Sequence, residues 1–335
     1  MRATMERDEV LVQRVAAARG DLQREIGKVV IGQERIVDLL LTGLLAKGHC
    51  LFIGVPGLAK TTLISTLAGV LDLGFNRVQF TPDLMPADIL GSEILDEDRL
   101  TRERSFRFIR GPVFTNLLLA DEINRTSPKT QSALLQAMQE RQVTVAGTTY
   151  PLEPPFMVYA TQNPIEQEGT YPLPEAQLDR FMLQVDVGYP DEEQELRIAA
   201  ATTVERGDTP AVVLGRTEIL DLQRLTLAVP ISEYVLKYAV RLVRATRPGQ
   251  GGGLALVDEH VAYGAGPRAV QHLVLAAKAY CLLDGRYCVT CEDLRILAEP
   301  VLKHRLLINF HGQSSGIGAG AILAAVLEHH QDDFG

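Results

Sequence analysis

The 335-residue chain contains little cysteine and no long apolar run. Four cysteines are too few for a disulfide framework. No apolar stretch reaches the roughly 20 residues that cross a membrane as a helix. The small-residue segment 316–327 is predicted to be a buried or interface helix instead. Near the amino terminus, Glu6, Asp8 and Glu9 are not the basic-then-apolar layout of a signal peptide. We therefore expect a cytoplasmic protein without a membrane span.

Residue patterns that are typical of metal sites are also scarce. Cys288 and Cys291 have the CxxC spacing, but no second pair completes a four-ligand site. Thr290 and Asp293, three residues apart, favour a capped helix start at this point. The seven histidines show no HExxH or other ligand spacing. We predict a helix cap here and leave open whether the cysteine pair has a role.

Positive charge is not in excess. The formal net charge of −9 disfavours broad electrostatic binding of nucleic acid, although it leaves a local basic pore open. An apolar content of 46% and a charged content of 22% are ordinary for a soluble globular protein. The length is enough for one or two domains with a large core.

A glycine-containing loop is the first feature that points to chemistry. It reads Gly54-Val55-Pro56-Gly57-Leu58-Ala59-Lys60-Thr61. An apolar strand precedes it and a helix follows, so backbone N–H groups and the positive helix end would face one anion. Lys60 would reach the β- and γ-phosphates, and the Thr61 hydroxyl would bind Mg²⁺. Gly54 and Gly57 permit backbone angles and close approaches that a side chain would block.

Ala59 departs from the usual G-x-x-x-x-G-K-[ST] pattern, which has glycine before the lysine. We expect Ala59 to keep a right-handed helical conformation, so that its methyl group is a mild change. Taken alone, the loop is also compatible with a chance Gly/Pro turn in which Lys60 is a solvated lysine.

A second pattern lies sixty residues later. The apolar strand 117–120 ends in two adjacent carboxylates, Asp121 and Glu122. Asp121 would hold the Mg²⁺ shell, and Glu122 would orient and polarise the attacking water. The alternative is a strand that ends in a solvated acidic turn. Together and in this order, the two patterns predict hydrolysis of a nucleoside triphosphate.

Two further polar positions follow apolar segments. Asn163 comes just after the strand 157–161 and could place its amide between the γ-phosphate and the water. Arg180 ends a short helix just before the strand 182–185. It is either a surface arginine paired with Asp179 or a finger that supplies charge to a neighbouring subunit's transition state.

The order of elements predicts an α/β fold followed by a helical region. Apolar strands that alternate with helices indicate a parallel sheet covered on both faces, with ligands beyond the carboxyl ends of the strands. Extra segments at 86–110 and 141–155 read as hairpins, and a leading helix covers about 6–28. After 188–190 the chain shows no strand-like alternation, and helices are predicted at 191–205, 216–228, 232–246, 267–283 and 290–305, with a flexible break at 247–253. We therefore divide the chain into a nucleotide-binding core, 1–188, whose residues 1–28 lead into it, and a helical lid, 189–335.

Several of these segments together resemble the MoxR group of AAA+ ATPases, over about Ile26 to Arg305. The matching segments are Val30-Ile31-Gly32-Gln33, the Gly54–Thr61 loop, Asp121-Glu122-Ile123-Asn124-Arg125, Ala160-Thr161-Gln162-Asn163-Pro164, Leu173 to Phe181, and Gly266-Pro267-Arg268-Ala269. The Ala-Lys-Thr form of the loop is itself a mark of this group. The resemblance implies a P-loop AAA+ core with a helix-2 insert and a pre-sensor-1 hairpin, followed by an all-α lid.

The resemblance also implies residue roles for ATP/ADP and Mg²⁺. Val30, Ile31 and Gln33 would line the adenine pocket. Phosphate-loop contacts would come from Gly54, Pro56, Gly57, Leu58, Ala59, Lys60, Thr61 and Thr62. Asp121 and Glu122 would form the Walker B pair, with Thr61 and Asp121 on the metal. Asn163 is similar to sensor 1, Arg180 to the arginine finger, and Arg268 to a sensor 2 that reaches its own subunit's γ-phosphate.

By the same resemblance, the protein is a Mg²⁺-dependent ATPase that acts on a protein client. The action would be remodelling, maturation or insertion of a cofactor or metal, within a homo-oligomeric, hexameric ring whose pore the two hairpins face. A partner with a von Willebrand factor A domain is implied for the group. Two other functions stay open: an AAA+ motor acting on nucleic acid, and a nucleotide-gated scaffold that hydrolyses little ATP.

Overall fold

Short apolar strands form the centre of the computed structural model, which describes residues 2–97, 104–165, 169–202, 209–250 and 253–331. In chain order the strands are β1 (Cys50–Ile53), β2 (Phe75–Gln79), β3 (Gly91–Glu97), β4 (Arg104–Arg110), β5 (Leu117–Asp121), β6 (Gln142–Val145), β7 (Thr148–Pro151), β8 (Met157–Gln162), β9 (Leu183–Asp186), β10 (Val261–Tyr263) and β11 (Leu307–Ile308). Five of them pair in parallel in the order β2-β5-β8-β1-β9. The predicted parallel sheet is therefore confirmed.

Helices cover both faces of this sheet and make up most of the carboxyl-terminal part. In chain order they are α1 (Arg2–Gly27), α2 (Glu34–Leu45), α3 (Lys60–Val70), α4 (Pro86–Leu90), α5 (Pro128–Glu140), α6 (Glu175–Leu178), α7 (Glu192–Thr202), α8 (Arg216–Ala228), α9 (Glu233–Ala245), α10 (Ala255–His260), α11 (Pro267–Leu283), α12 (Cys291–Leu302), α13 (Phe310–Ser314) and α14 (Ala319–His329). Successive strand residues point to opposite faces. Leu117 and Leu119 pack with α1, α2 and α3, whereas Leu118 and Ala120 pack with α4 and α5. Burial on both faces explains why β5 is apolar throughout.

The two extra segments form hairpins at the predicted places. β3 pairs antiparallel with β4, and β6 pairs antiparallel with β7. The Phe108 ring of the first hairpin stacks on the Tyr150 ring of the second, with ring centroids 4.2 Å apart. Aromatic stacking therefore holds the two hairpins against each other. Arg102 and Glu103, which the sequence placed on the first hairpin, lie outside the described residues.

The carboxyl-terminal part is helical, as predicted, and Thr290 caps α12 together with Asp293. It also contains a small antiparallel sheet of β10 and β11 that the sequence did not predict. These strands have three and two residues, which is too short for alternation to show. Helices α10, α13 and α14 were likewise not among the predicted lid helices, although the segment 316–327 was expected to be helical.

The apolar core does not stop at the expected end of the first domain. Residues of α2 and of the sheet belong to one buried cluster with residues of α8 and α11. Across this interface the Gln223 side chain donates to the Leu44 carbonyl at 2.7 Å. Arg19 of α1 binds Asp38 of α2 at 2.6 Å and Asp284, just after α11, at 3.2 Å. The division at residue 188 stays a prediction, with extensive packing across it.

Over the described ranges, none of the helices is both long and apolar enough to traverse a lipid bilayer.

Buried histidines lie where the lid meets the sheet. His49, just before β1, accepts the Val158 N–H at Nδ1 (2.9 Å), which leaves Nε2–H to donate to the Met138 carbonyl (3.2 Å). Burial lowers the pKa of His49 to about 4. Burial, followed by the charge of Arg305, lowers the pKa of His272 to about 3 and holds the pKa of His304 well below its usual range. All three side chains are neutral in the folded protein near pH 7.

We expect stability to fall as the pH drops below the unfolded-state pKa of histidine, about 6.5. The unfolded chain binds protons there that buried neutral histidines cannot accept. For His49 the loss begins near pH 6.5 and continues to its folded pKa of about 4, at roughly 1.4 kcal/mol per pH unit. Urea unfolding at pH 7.5, 6.5 and 5.5 measures the slope. His49→Gln should reduce it and the exposed-site control His329→Gln should not. An unchanged slope in His49→Gln would contradict a buried neutral His49.

Candidate functional site

The glycine-containing loop lies between the carboxyl end of β1 and the first turn of α3. A side chain at Gly54 would meet the Val187 carbonyl at 2.6 Å, so the neighbouring backbone requires glycine there. Gly57 has φ of 86°, in the left-handed region that glycine adopts without cost. The strand–loop–helix context expected for a phosphate loop is present.

Ala59 does not adopt the right-handed conformation expected for it. It caps the amino end of α3 with φ of 53° and ψ of 20°, in the left-handed region. That conformation costs an alanine about 1 kcal/mol, because its Cβ crowds the following carbonyl. The expectation of a mild change was wrong in its physical reason, and the loop contains local strain.

Lys60 lies over the loop that precedes it. Its ammonium donates to the carbonyls of Gly54 (2.6 Å) and Val55 (3.2 Å). Partial burial lowers the pKa of Lys60, whereas the charges of Asp121 and Glu122 act in the opposite direction. The side chain is therefore already directed along the loop and towards the acidic pair.

The acidic pair lies opposite the loop. Parallel pairing places Gln79 of β2 beside Asp121 of β5, and Ala160 of β8 beside Ala120. A cavity of about 400 Å³ then joins the loop to the carboxylates. It is lined by Pro56, Gly57, Leu58, Ala59, Lys60, Thr61, Thr62, Arg77, Gln79, Asp121, Glu122, Thr161 and Asn163. The structure thus brings together the residues predicted for phosphate, metal and water.

Each carboxylate in this cavity has several partners. Asp121 accepts the Thr161 hydroxyl at Oδ1 (2.6 Å) and the Arg77 guanidinium at Oδ2 (2.7 Å). Glu122 accepts Gln79 (2.7 Å) and Arg125 (3.0 Å) at Oε2. Hydrogen bonds and opposite charges compensate for the partial burial of both acids.

The Glu122 backbone is also constrained. It has φ of 57° and ψ of 50°, a left-handed conformation that is rare outside glycine. Its N–H donates to the Thr161 hydroxyl at 2.8 Å, and the same hydroxyl donates to Asp121. One threonine on β8 therefore orients both acids.

Sequence reasoning did not assign functional roles to Arg77, Gln79 and Thr161. Arg77 and Gln79 are two residues apart on β2 and so face the same side, towards the acids. Thr161 is a polar residue near the end of an otherwise apolar strand. Such residues at strand ends were the available signal, but pairing partners in a parallel sheet are not readable from one strand. Asn163, which was predicted, is 93% buried and lines the same cavity.

A second cavity of about 520 Å³ adjoins the first, with which it shares Gly57, Leu58, Ala59 and Thr62. The predicted base-pocket residues Val30, Ile31 and Gln33 line it, together with Tyr189, Pro190, Gln194 and Ile198 among others. Gln33 donates its amide N–H to the Leu58 carbonyl at 3.3 Å. Its buried Oε1 has no partner among the described residues. That oxygen is free to accept from a ligand.

Arg180 and Arg268 lie elsewhere. Both line a third cavity of about 380 Å³, together with Lys47, His49, Arg141 and other residues, and none of the described residues lining it is acidic. His49 precedes the amino end of β1, whereas Gly54 follows its carboxyl end. The four residues between them span about 13 Å. We call the first cavity, between the loop and the carboxylates, the phosphate cavity. The two arginines therefore lie at the opposite edge of the sheet from the phosphate cavity.

This placement corrects the expected action of Arg268 on its own subunit's γ-phosphate. Arg268 begins α11, as predicted, but α11 packs against α2 and directs the guanidinium to Asp179 at 3.2 Å. Asp179 also accepts Arg305 at 2.8 Å. The alternative in which Asp179 pairs with Arg180 is not what the structure shows. Arg180 makes no side-chain hydrogen bond or ion pair with any residue that the structure describes.

Comparisons with known proteins agree with this geometry. Residues 49–183 match the ATPase family associated with various cellular activities (AAA), and residues 254–326 match an AAA lid domain. The chain is 42% identical to Chaperone MoxR1 of Mycobacterium tuberculosis over 307 residues, 91% of this chain and 79% of that protein. It is 33% identical to Protein MoxR of Paracoccus denitrificans over 306 residues, 86% and 88% of the two chains.

A solved structure from Cytophaga hutchinsonii, whose protein is provisionally named an ATPase, superposes with a TM-score of 0.90 at 41% identity. The alignment covers 97% of this chain and 98% of that one. Both the sequence relatives and the solved structure extend over core and lid. With the phosphate loop and acidic pair in one cavity of an AAA+ fold, the chain belongs to the MoxR family of AAA+ ATPases.

Proposed function

We propose that this protein hydrolyses ATP and couples the hydrolysis to remodelling of a client protein. The observation that carries the proposal is the cavity shared by Lys60, Asp121 and Glu122. Transfer of a phosphoryl group to water requires neutralisation of phosphate charge and a group that orients the water. The printed name of the mycobacterial relative, a chaperone, supports a protein client.

Lys60 and the backbone N–H groups of the loop would hold the phosphates. The Lys60 ammonium hydrogen-bonds two loop carbonyls, Gly54 and Val55, which are weaker partners than phosphate oxygens. Exchanging them for the β- and γ-phosphates keeps the ammonium near its present position.

Thr61 and Asp121 fit a magnesium ion, because hydroxyl and carboxylate oxygens are ligands it prefers. The Arg77 guanidinium on Asp121 Oδ2 supports this assignment, because it places positive charge beside the carboxylate within the cavity. When bound, the ion would neutralise charge on the phosphate oxygens.

Glu122 would accept the proton of the attacking water, with Asn163 positioning that water. The Thr161 hydroxyl fixes the Glu122 backbone, so its carboxylate enters the cavity from a constrained direction. Release from Gln79 and Arg125 then makes Oε2 available as a base.

The adenine ring of the nucleotide would bind in the second cavity. Because the Gln33 amide N–H is used by Leu58, its orphan Oε1 is directed to a ligand donor. The adenine amino group is such a donor, whereas guanine presents a carbonyl at the equivalent position.

Arg180 and Arg268 would complete the site of a neighbouring subunit. Both are at the amino edge of the sheet, away from their own phosphate cavity, in a cationic cavity that suits an anion. Head-to-tail contacts that close on themselves produce a ring. Such a ring, hexameric by family resemblance, pairs this cavity with the neighbour's phosphates.

The remaining parts of the proposal rest on the family. They are a cytoplasmic location, a client that undergoes maturation or cofactor or metal insertion, and a partner with a von Willebrand factor A domain. The relatives' names favour neither a nucleic-acid motor nor a non-hydrolysing scaffold.

Lys60→Ala is expected to weaken ATP binding by about tenfold or more, because a charge-assisted contact is lost. Glu122→Gln is expected to leave the ATP Kd unchanged and to lower kcat about 10²–10⁴-fold. Calorimetry measures binding and phosphate release measures turnover. Lys129→Ala, which removes an exposed lysine of α5, is the matched control. Wild-type turnover in Glu122→Gln would disprove its role as the base.

Gln33→Leu is expected to reduce the preference for ATP over GTP about tenfold, because the discriminating acceptor is lost. Competition against a fluorescent ADP analogue gives both affinities. Gln136→Leu, an exposed glutamine of α5, serves as control. If Gln33→Leu keeps the full preference for ATP over GTP, a group other than Gln33 discriminates adenine from guanine.

Mixed assemblies test the two arginines. Arg180→Ala and Arg268→Ala subunits should each be inactive alone and regain activity when mixed with inactive Glu122→Gln subunits. In a one-to-one ring about a quarter of the interfaces pair an intact Glu122 with an intact arginine. If Arg268 instead acts within its own subunit, the Arg268→Ala mixture stays inactive while the Arg180→Ala mixture recovers. Co-assembly is verified by size and differential tagging.

A further inference from the structure

The turn that carries Arg180 is fastened by a residue of the lid. Arg305 has a side chain that is 2% exposed. Its guanidinium donates to the Asp179 carboxylate (2.8 Å), the Asp179 carbonyl (3.3 Å), the Phe181 carbonyl (2.6 Å) and the Met182 carbonyl (3.4 Å). These acceptors lie on both sides of Arg180 in the chain. Two further contacts, to the Val301 carbonyl and to His272 Nδ1, hold the guanidinium within the lid.

Arg305 is the last of three consecutive residues that bind this region. They form a 3-10 turn after α12, Lys303–Arg305. Lys303 pairs with Asp186 at the end of β9, and His304 hydrogen-bonds the Phe181 carbonyl at 3.1 Å. The lid therefore holds the whole segment 179–186. We call the 3-10 turn and Asp179 together the lid latch.

The segment needs such support. Helix α6, which precedes Arg180, has only four residues, too few to be stable by itself. Phe181 is fully buried and fixes the far side of the turn. Asp179, bound by Arg268 and Arg305, has no ion pair with Arg180 among the described residues. The latch thus holds the backbone of Arg180 while its guanidinium stays available.

We propose that Arg305, through the Asp179 carboxylate and the carbonyls of Asp179, Phe181 and Met182, is a positioning residue that presents Arg180 to the neighbouring subunit's active site. The proposal rests on the proposed function, in which Arg180 acts on a neighbour. Charge stabilisation depends steeply on placement, and an error of about 1 Å can cost on the order of a hundredfold in rate. The lid of one subunit would then influence the rate of ATP hydrolysis in the neighbouring subunit.

Asp179→Asn tests the latch with little change of shape. The amide oxygen still accepts a hydrogen bond, but the charge that holds Arg268 and Arg305 is removed. We expect the uniform assembly to lose about tenfold or more of kcat, while the Kd for a fluorescent ADP analogue stays within about twofold, because its own phosphate cavity is untouched. Mixing it with Glu122→Gln subunits should restore activity, since the latter supply a correctly held Arg180.

Arg305→Lys is the second variant, for use if Asp179→Asn does not fold or assemble. A lysine keeps the charge but cannot bridge the carbonyls on both sides of Arg180. It should show the same loss and the same recovery in mixtures. Asp293→Asn is the matched control, because it breaks another lid ion pair, between the buried Asp293 and Arg286, at the opposite end of α12 from the latch. It should lower Tm and leave kcat unchanged below the melting temperature.

Three outcomes would overturn the proposal. One is wild-type kcat in assembled Asp179→Asn. The second is a loss of kcat that Glu122→Gln subunits do not restore, although they do restore Arg180→Ala; the latch would then act on its own site. The third is failure of the Arg180→Ala mixture itself, which refutes the action of Arg180 on a neighbour and the latch with it. Because the two mixtures are separate, failure of the latch alone is distinguishable.

Discussion

The parallel direction of the five central strands is the constraint on which the rest of this protein depends. All carboxyl ends meet at one edge of the sheet, and all amino ends meet at the other. The phosphate loop and the acidic pair follow strands, so they share the carboxyl edge. Arg180 and Arg268 lie beside residues that precede strands, so they share the amino edge. The two groups of residues are therefore separated by the length of the strands.

The groups in the phosphate cavity are held by internal partners. Lys60 binds loop carbonyls, Asp121 binds Arg77, and Glu122 binds Gln79 and Arg125. A half-buried charge needs a partner, so each of these contacts stabilises the fold. Under the proposed function, ATP and Mg²⁺ would compete with these internal partners.

The sequence predicted correctly those elements whose signal lies within a few consecutive residues. The strand-loop-helix at the phosphate loop, the apolar strand before Asp121, the two hairpins and the Thr290 cap were all readable from short windows. The left-handed conformation of Ala59 was not readable from the sequence, because an alanine by itself favours the right-handed region. The pairing of β10 with β11 was not readable either, because strands of two or three residues are too short to show periodicity.

The features of the candidate site likewise fall into those predicted from the sequence and those that only the structure shows. Residue type and spacing alone predicted a phosphate-binding lysine at position 60 and two acids at the end of a strand, since each signal lies within a few consecutive residues. Only the tertiary structure decided that Thr161 orients both acids, that Arg268 faces away from its own phosphate cavity, and that Arg305 holds the turn of Arg180. These contacts join residues 39 to 126 positions apart. Packing creates them, and no window of sequence contains both partners.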